Sequence, residues 1–254
     1  MSVAEALLAL AHAVGEPRRE LVILAEGNVS ARIDDERMLV KATGSSMASA
    51  GADDLVECRF APILELLDDP RAFEGGEGDA RVAEALLASR VDPTAKRPSV
   101  EALLHAVVLT SGAAAACHTH PISANGILCS DRAPLLAAGA LFPDQVVVLG
   151  AQTLLVPYVD PGLGLGRLMR HELRAFADRH RALPKLVWLQ SHGMFAIGDD
   201  PAECLRITEM ADKVARVLAG ALAAGEPAFL PDAVVDRIDG REDEDVRRAA
   251  LAGR

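Results

Sequence analysis

Three histidines and a glutamate are the residues whose types and spacing could do chemistry. His118-Thr119-His120-Pro121 places two imidazoles two residues apart. On a strand such residues point to the same side, so both rings would project together at the strand's end, where Pro121 stops further pairing. A tetrahedral or five-coordinate ion tolerates neighbouring imidazoles at Zn–N of roughly 2.0–2.1 Å. Without a third ligand, however, the pair reads equally as a surface or core pair. His192 is the natural third residue. It precedes Gly193 at a turn between two apolar strands, where glycine would let the backbone swing the ring into a site. The alternative is an ordinary turn histidine. Glu101 also reads two ways: as an acid favoured by the macrodipole in the first turn of a helix capped by Ser99, or as a carboxylate carried among apolar residues to serve as fourth ligand or general base. His105 lies four residues further along the same helix face. His12, His171 and His180 read as structural or solvated.

Two glycine-centred segments, Gly27-Asn28-Val29-Ser30 and Thr43-Gly44-Ser45-Ser46, pair exposed backbone with short polar side chains. That is how a neutral anion cradle is built from N–H groups and hydroxyls, and it is also how ordinary turns are built. Asn28-Val29-Ser30 matches a glycosylation sequon, which carries no weight without a secretion signal. Gly162-Leu163-Gly164-Leu165-Gly166 follows Asp160-Pro161 instead of a strand and has the wrong glycine spacing for a dinucleotide fingerprint.

These residues need elements to hold them. Periodicity predicts helices over 2–14, 61–67, 79–90, 98–110, 122–128, 164–180 and 201–224, the last long and amphipathic. Alternation predicts a hairpin from 29–33 and 38–42, strands at 145–149 and 153–157, and a second hairpin from 186–189 and 194–197. Residues 74–78 read as a flexible polar loop. Strands and helices interleave without strict βαβ alternation, so the expected fold is α/β: three α/β/α layers on a mixed, largely antiparallel sheet. Residues 1–225 are expected to form one domain, with 226–254 a polar arm or helix of it.

Composition narrows the partners. The 254 residues carry 37 Asp+Glu against 26 Lys+Arg, a formal charge of −11, which lacks the basic footprint that nucleic acid or an anionic membrane demands. Aromatics are 3%, with one tyrosine, Tyr158, and one tryptophan, Trp188, too few for stacking platforms. Cys58, Cys117, Cys129 and Cys204 show no metal-knuckle or paired spacing. With no basic segment before the first apolar stretch and no apolar run of spanning length, a cytoplasmic, reduced protein acting on a small molecule is expected.

Taken in order, Gly27-Asn28-Val29-Ser30, Lys41-Ala42-Thr43-Gly44, Pro98-Ser99-Val100-Glu101 with His105, His118-Thr119-His120-Pro121 and His192-Gly193 resemble the class II aldolase/adducin family over residues 20 to 220. The resemblance implies a divalent transition metal, zinc first and Mn2+, Co2+ or Fe2+ otherwise, held by His118, His120 and His192. Glu101 would be the base and, in the empty site, an extra ligand. Gly27, Asn28, Thr43, Gly44 and Ser99 would correspond to the substrate phosphate cradle, in a homotetramer. The implied reaction is that of a metal-dependent aldolase, a lyase that cleaves or forms a C–C bond in a small hydroxycarbonyl or ketose-type substrate through a metal-stabilised enediolate. A decarboxylase or dehydratase, or an adducin-like non-catalytic domain, are the alternatives; the retained histidines and Glu101 argue against the last. The substrate would be a sugar phosphate, a ketose or a hydroxy keto acid. Two departures matter. Ser99-Val100 stands where the fuculose-phosphate enzyme has two serines, and Lys41 is the only basic residue in these motifs, which favours an unphosphorylated or carboxylate-bearing substrate. That enzyme's proton-donating tyrosines also have no counterpart here.

Overall fold

Seven strands of the computed structural model, which describes residues 1–70, 72 and 76–241, join in one sheet of order β3-β2-β1-β4-β7-β6-β5. In chain order the elements are α1 (Val3–Val14), β1 (Asn28–Arg32), β2 (Arg37–Lys41), β3 (Leu55–Arg59), α2 (Ala61–Asp68), α3 (Gly76–Ser89), α4 (Ala102–Thr110), β4 (Ala115–Thr119), α5 (Ile122–Leu128), α6 (Pro143–Leu149), β5 (Leu154–Val156), α7 (Leu163–His180), β6 (Leu186–Leu189), β7 (Gly193–Gly198), α8 (Pro201–Ala224) and α9 (Asp232–Asp239). Every neighbouring pair of strands is antiparallel except β5 with β6. The sheet is therefore mixed and largely antiparallel, as its sequence pattern predicts.

Strand alternation divides the core into two layers. Met38, Val40, Ala116, Val187, Phe195 and Ile197 pack on the side of α2, α4 and α7. Val29, Ala31, Cys117, Trp188, Met194 and Ala196 pack on the side of α1, α5 and α8. On β4 this parity puts His118 on the same face as Ala116, toward α4. Helix α4 is buried on all sides, residue by residue from Ala102 to Leu109, because it lies between the sheet and α7.

Local signals account for most boundaries. Ser2 and Glu5 form a reciprocal capping box on α1, and the Asp200 side chain accepts the Glu203 N–H at the start of α8, with Pro201 in its first turn. Three expectations fail. Residues 145–149 lie in helix α6, not in a strand. Pro143 opens that helix, and the Gln145 amide binds Leu141 N–H and Gly139 C=O, which outweighs the β-preference of three successive valines. The helix expected from Pro98 starts at Ala102, because residues 97–99 run along 41–43: Thr43 N–H donates to Arg97 C=O (3.0 Å) and Ser99 N–H to Lys41 C=O (3.3 Å). Gly76 to Gly78, expected in a loop, form the first turn of α3, whose Glu77 and Asp79 suit the positive helix end; 74 and 75 lie outside the described residues. Strand β3, for which the sequence carried no expectation, buries Val56 and Cys58 and pairs with β2. Helix α9 covers α6 through Val235 and Ile238, and the rest of the expected arm, 242–254, lies outside the described residues.

Candidate metal centre

Glu101, His118, His120 and His192 come together with one ligand atom of each within 4.8 Å of every other. Each arrives from a different direction. His118 stands near the end of β4 and stacks on Phe195 of β7, ring centroids 4.8 Å apart. His120 lies just past that strand. His192 sits in the turn between β6 and β7, and Glu101 occupies the N-cap position of α4. Antiparallel pairing of β1 with β4 sets Asn28 opposite His118, so the Gly27-Asn28 segment reaches the same place.

The glycine after His192 acts differently from expectation. Gly193 keeps a negative φ, and Ser191 takes the left-handed conformation at φ 53°. Gly193 is required by close approach: a Cβ there would lie 2.5 Å from Thr119 C=O and 2.5 Å from His120 Cδ2.

Hydrogen bonds fix the tautomers. His118 Nδ1 lies 2.8 Å from Met194 C=O and His120 Nδ1 lies 3.1 Å from Glu26 Oε2; both partners only accept, so both Nδ1 atoms carry the proton. In the neutral rings the Nε2 atoms are then lone-pair donors, and they face each other at 2.8 Å. His192 Nε2 is 3.2 Å from His118 Nε2, and Glu101 Oε1 lies 3.1 Å from His118 Nε2 and 3.0 Å from His192 Nε2. Facing lone pairs beside a carboxylate require a positive charge among them, a proton or a cation. The titration tendencies agree. Burial opposes a charge on His118, but Glu101 outweighs it and holds the ring above its ordinary value. Burial would raise the Glu101 carboxyl, yet His118 and His192 hold it well below the usual range. Burial, then the charge of His118, pushes His120 down to about 4. Three imidazole nitrogens and one carboxylate oxygen, mostly buried, form a donor set that could hold a transition-metal ion.

The remaining expected residues divide. Asn28 Nδ2 donates to Glu101 Oε2, so this buried amide holds the carboxylate. Ser99 Oγ accepts the Glu101 N–H (3.3 Å). Thr43 and Gly44 are exposed on the adjoining loop, with open space beside Gly44, whereas a Cβ on Gly27 would meet Val22 and His118 C=O within 2.9 Å. Buried Lys41 ties the two loops together: Nζ donates to Ser45 C=O (2.6 Å), Ala42 C=O (3.3 Å) and Ala25 C=O (3.4 Å). His105 stays outside the cluster, its Nδ1 hydrogen-bonded to Ser30 Oγ at 2.6 Å and its ring against Phe195. Tyr158 is half exposed and donates to Asp160. Glu26 escaped the sequence reading, although an acid directly before Gly27-Asn28 was visible there.

A three-layer α/β fold carries, at one end of a largely antiparallel sheet, a cluster of three histidines and one glutamate that could hold a metal ion. The chain belongs to the class II aldolase and adducin N-terminal domain family, whose model matches residues 5–219. It is 27% identical over 173 residues to an uncharacterized oxidoreductase, YuxG, of Bacillus subtilis (strain 168); the match covers 68% of this chain and 22% of that protein, so the chain spans about a fifth of its relative's length. Among solved structures, an L-fuculose 1-phosphate aldolase superposes with a TM-score of 0.69 at 17% identity, over 93% of this chain and 94% of that one. YgbL of Escherichia coli, a putative aldolase/epimerase/decarboxylase, superposes at 0.68 and 17% identity, over 93% and 97%. These two likenesses establish the fold.

Proposed function

We propose that this chain is a metal-dependent carbon–carbon lyase of the aldolase type, acting on a small hydroxycarbonyl or ketose-type compound. The observation that carries the reading is the convergence of three imidazole Nε2 atoms on Glu101 with the outer nitrogens of His118 and His120 already committed. His118, His120 and His192 would hold the ion, with Glu101 able to join them. The donor set favours Zn2+, with Mn2+, Co2+ and Fe2+ as alternatives. When bound, such an ion supplies Lewis acidity toward a substrate carbonyl, worth several kcal/mol of barrier.

The chain's own groups supply the rest. Glu101 is held ionised and is oriented by Asn28 through one oxygen, so it can take a proton from, or return it to, the carbon beside that carbonyl. Its place at the N-terminal end of α4 adds to the preference for the charged form. Thr43 offers its exposed hydroxyl and Gly44 its backbone N–H to the far end of the substrate, with Gly27 leaving room for the loop to approach β4. The four cysteines are unpaired, which supports a reducing, cytoplasmic setting. A homotetramer is proposed on the family resemblance.

One observation favours a second reading within the same family, a decarboxylase or dehydratase acting on a hydroxy keto acid. Lys41 is buried against backbone carbonyls, and the cradle otherwise relies on neutral donors, which serve a phosphate dianion poorly. The test is a panel of hydroxyketones and keto acids, each with and without phosphate, followed for aldehyde and carbon dioxide release. Aldehyde release supports the lyase, carbon dioxide alone supports a decarboxylase, and consumption of the substrate with neither product supports a dehydratase. No turnover of any member by the metal-loaded protein would contradict both.

A further inference from the structure

Of the three histidines, His120 alone has a carboxylate behind it. His118 is backed by a backbone carbonyl, and buried His192 Nδ1 has no partner. Glu26 Oε2 accepts the His120 Nδ1 proton at 3.1 Å, while Glu26 Oε1 accepts the Ile23 N–H at 2.7 Å. Both oxygens are therefore fixed. The turn that presents them closes with Glu26 N–H donating to Ile23 C=O at 3.2 Å. Leu24 within it has φ 51° and is almost fully exposed. A bulky residue in the left-handed region is strained, and here no burial of its side chain offsets that strain. The same stretch continues into Gly27 and Asn28, and Asn28 holds Glu101.

We propose that Glu26 is the positioning residue of the metal centre. Its carboxylate fixes the tautomer and plane of His120 so that Nε2 points at the ion, and the strained 23–26 turn exists to place it. One tripeptide, Glu26-Gly27-Asn28, would then orient a ligand through its first residue and the base through its third. A carboxylate behind a ligating imidazole increases the basicity of the ligand nitrogen, and removing such a partner costs about 10- to 100-fold in metal affinity. This inference rests on the metal-centre reading above.

The test is chelator-competition titration of the wild-type protein, Glu26→Ala and Glu26→Gln with Zn2+ and Co2+, together with proton NMR of the zinc-loaded forms. Glu26→Ala should weaken both ions by about 10- to 100-fold. It should also lose one slowly exchanging imidazole N–H resonance. Glu26→Gln keeps an acceptor for Nδ1–H, so it should retain that resonance and recover most of the affinity. A residue that merely supports the turn would leave the resonance in place and affect both variants alike. If the wild type binds both ions and Glu26→Ala matches it, the role of Glu26 is overturned while the metal centre stands. If the folded wild type binds neither ion, both fall. Should Glu26→Ala fail to fold, Glu26→Gln decides: loss of the resonance from that variant overturns the proposal.

Discussion

Replacing Gly193 by alanine tests how tightly the fold holds the site. The new Cβ would sit 2.5 Å from Thr119 C=O and from His120 Cδ2, where ordinary contact begins near 3.4 Å, so the segments must part by roughly an ångström. Thr119 cannot retreat freely, because it is paired with Met194 across β4 and β7. Overpacking of this kind costs about 1–3 kcal/mol, and at about 2–4 °C per kcal/mol the melting temperature should fall by roughly 2–12 °C. The displaced ring carries Nε2 with it, and metal–ligand distances tolerate only about 0.2 Å, so zinc affinity should fall by more than tenfold. Gly44→Ala is the control. Its φ is 75° but nothing lies within 4 Å of the added methyl, so it should lose about 1–2 kcal/mol of stability and leave zinc affinity unchanged. Thermal unfolding of the metal-free proteins and chelator competition measure both quantities. Wild-type zinc affinity in Gly193→Ala would refute the claim that this close approach fixes His120.

Other residues make separate predictions. Glu101→Gln should keep bound metal and lose about 10²- to 10⁴-fold in proton exchange at the carbon beside a substrate carbonyl; unchanged exchange, followed by deuterium incorporation, removes Glu101 from the chemistry. Burial pushes His105 down to about 3, so the native ring stays neutral while the unfolded one binds a proton below its ordinary value of 6.5. Stability from this group is therefore lost as pH falls from 6.5 toward 3, at up to about 1.4 kcal/mol per pH unit. His105→Gln should flatten that part of the denaturation curve, and an unchanged slope contradicts the assignment. Lys41→Met strips donors from the carbonyls of Ala42 and Ser45 and should cost about 1–3 kcal/mol by urea unfolding. No change in midpoint would show that the ammonium does not tie the loops.

Residue type made the clustered histidines and Glu101 legible, and periodicity made the long elements legible. The 201–224 helix coincides with α8, and the hairpins around Asp34-Asp35 and Ser191-His192 form as their alternation requires. Contacts distant in sequence account for part of the misreadings, beside the local helix starts at Pro143 and Gly76. Valines 146–148 prefer strands, yet α6 forms under α9. Ser99 resembles a helix cap, but Lys41 C=O takes its N–H and delays α4 to Ala102. Glu26 is visible as an acid before Gly27-Asn28, but its partner is not: the pairing of β1 with β4 and the bond from His120 N–H to Leu21 C=O bring its loop to His120. Asn28 shows the same limit: its motif suggests a substrate contact, while its side chain holds Glu101.

The central claim is that His118, His120, His192 and Glu101 hold a single transition-metal ion. Elemental analysis of the purified protein, after reloading with zinc and gel filtration, tests it directly. The account predicts close to one zinc per chain in the wild type and almost none in a folded His118→Ala variant. A folded wild-type protein that retains no zinc, or a His118→Ala variant that retains as much as wild type, would contradict it.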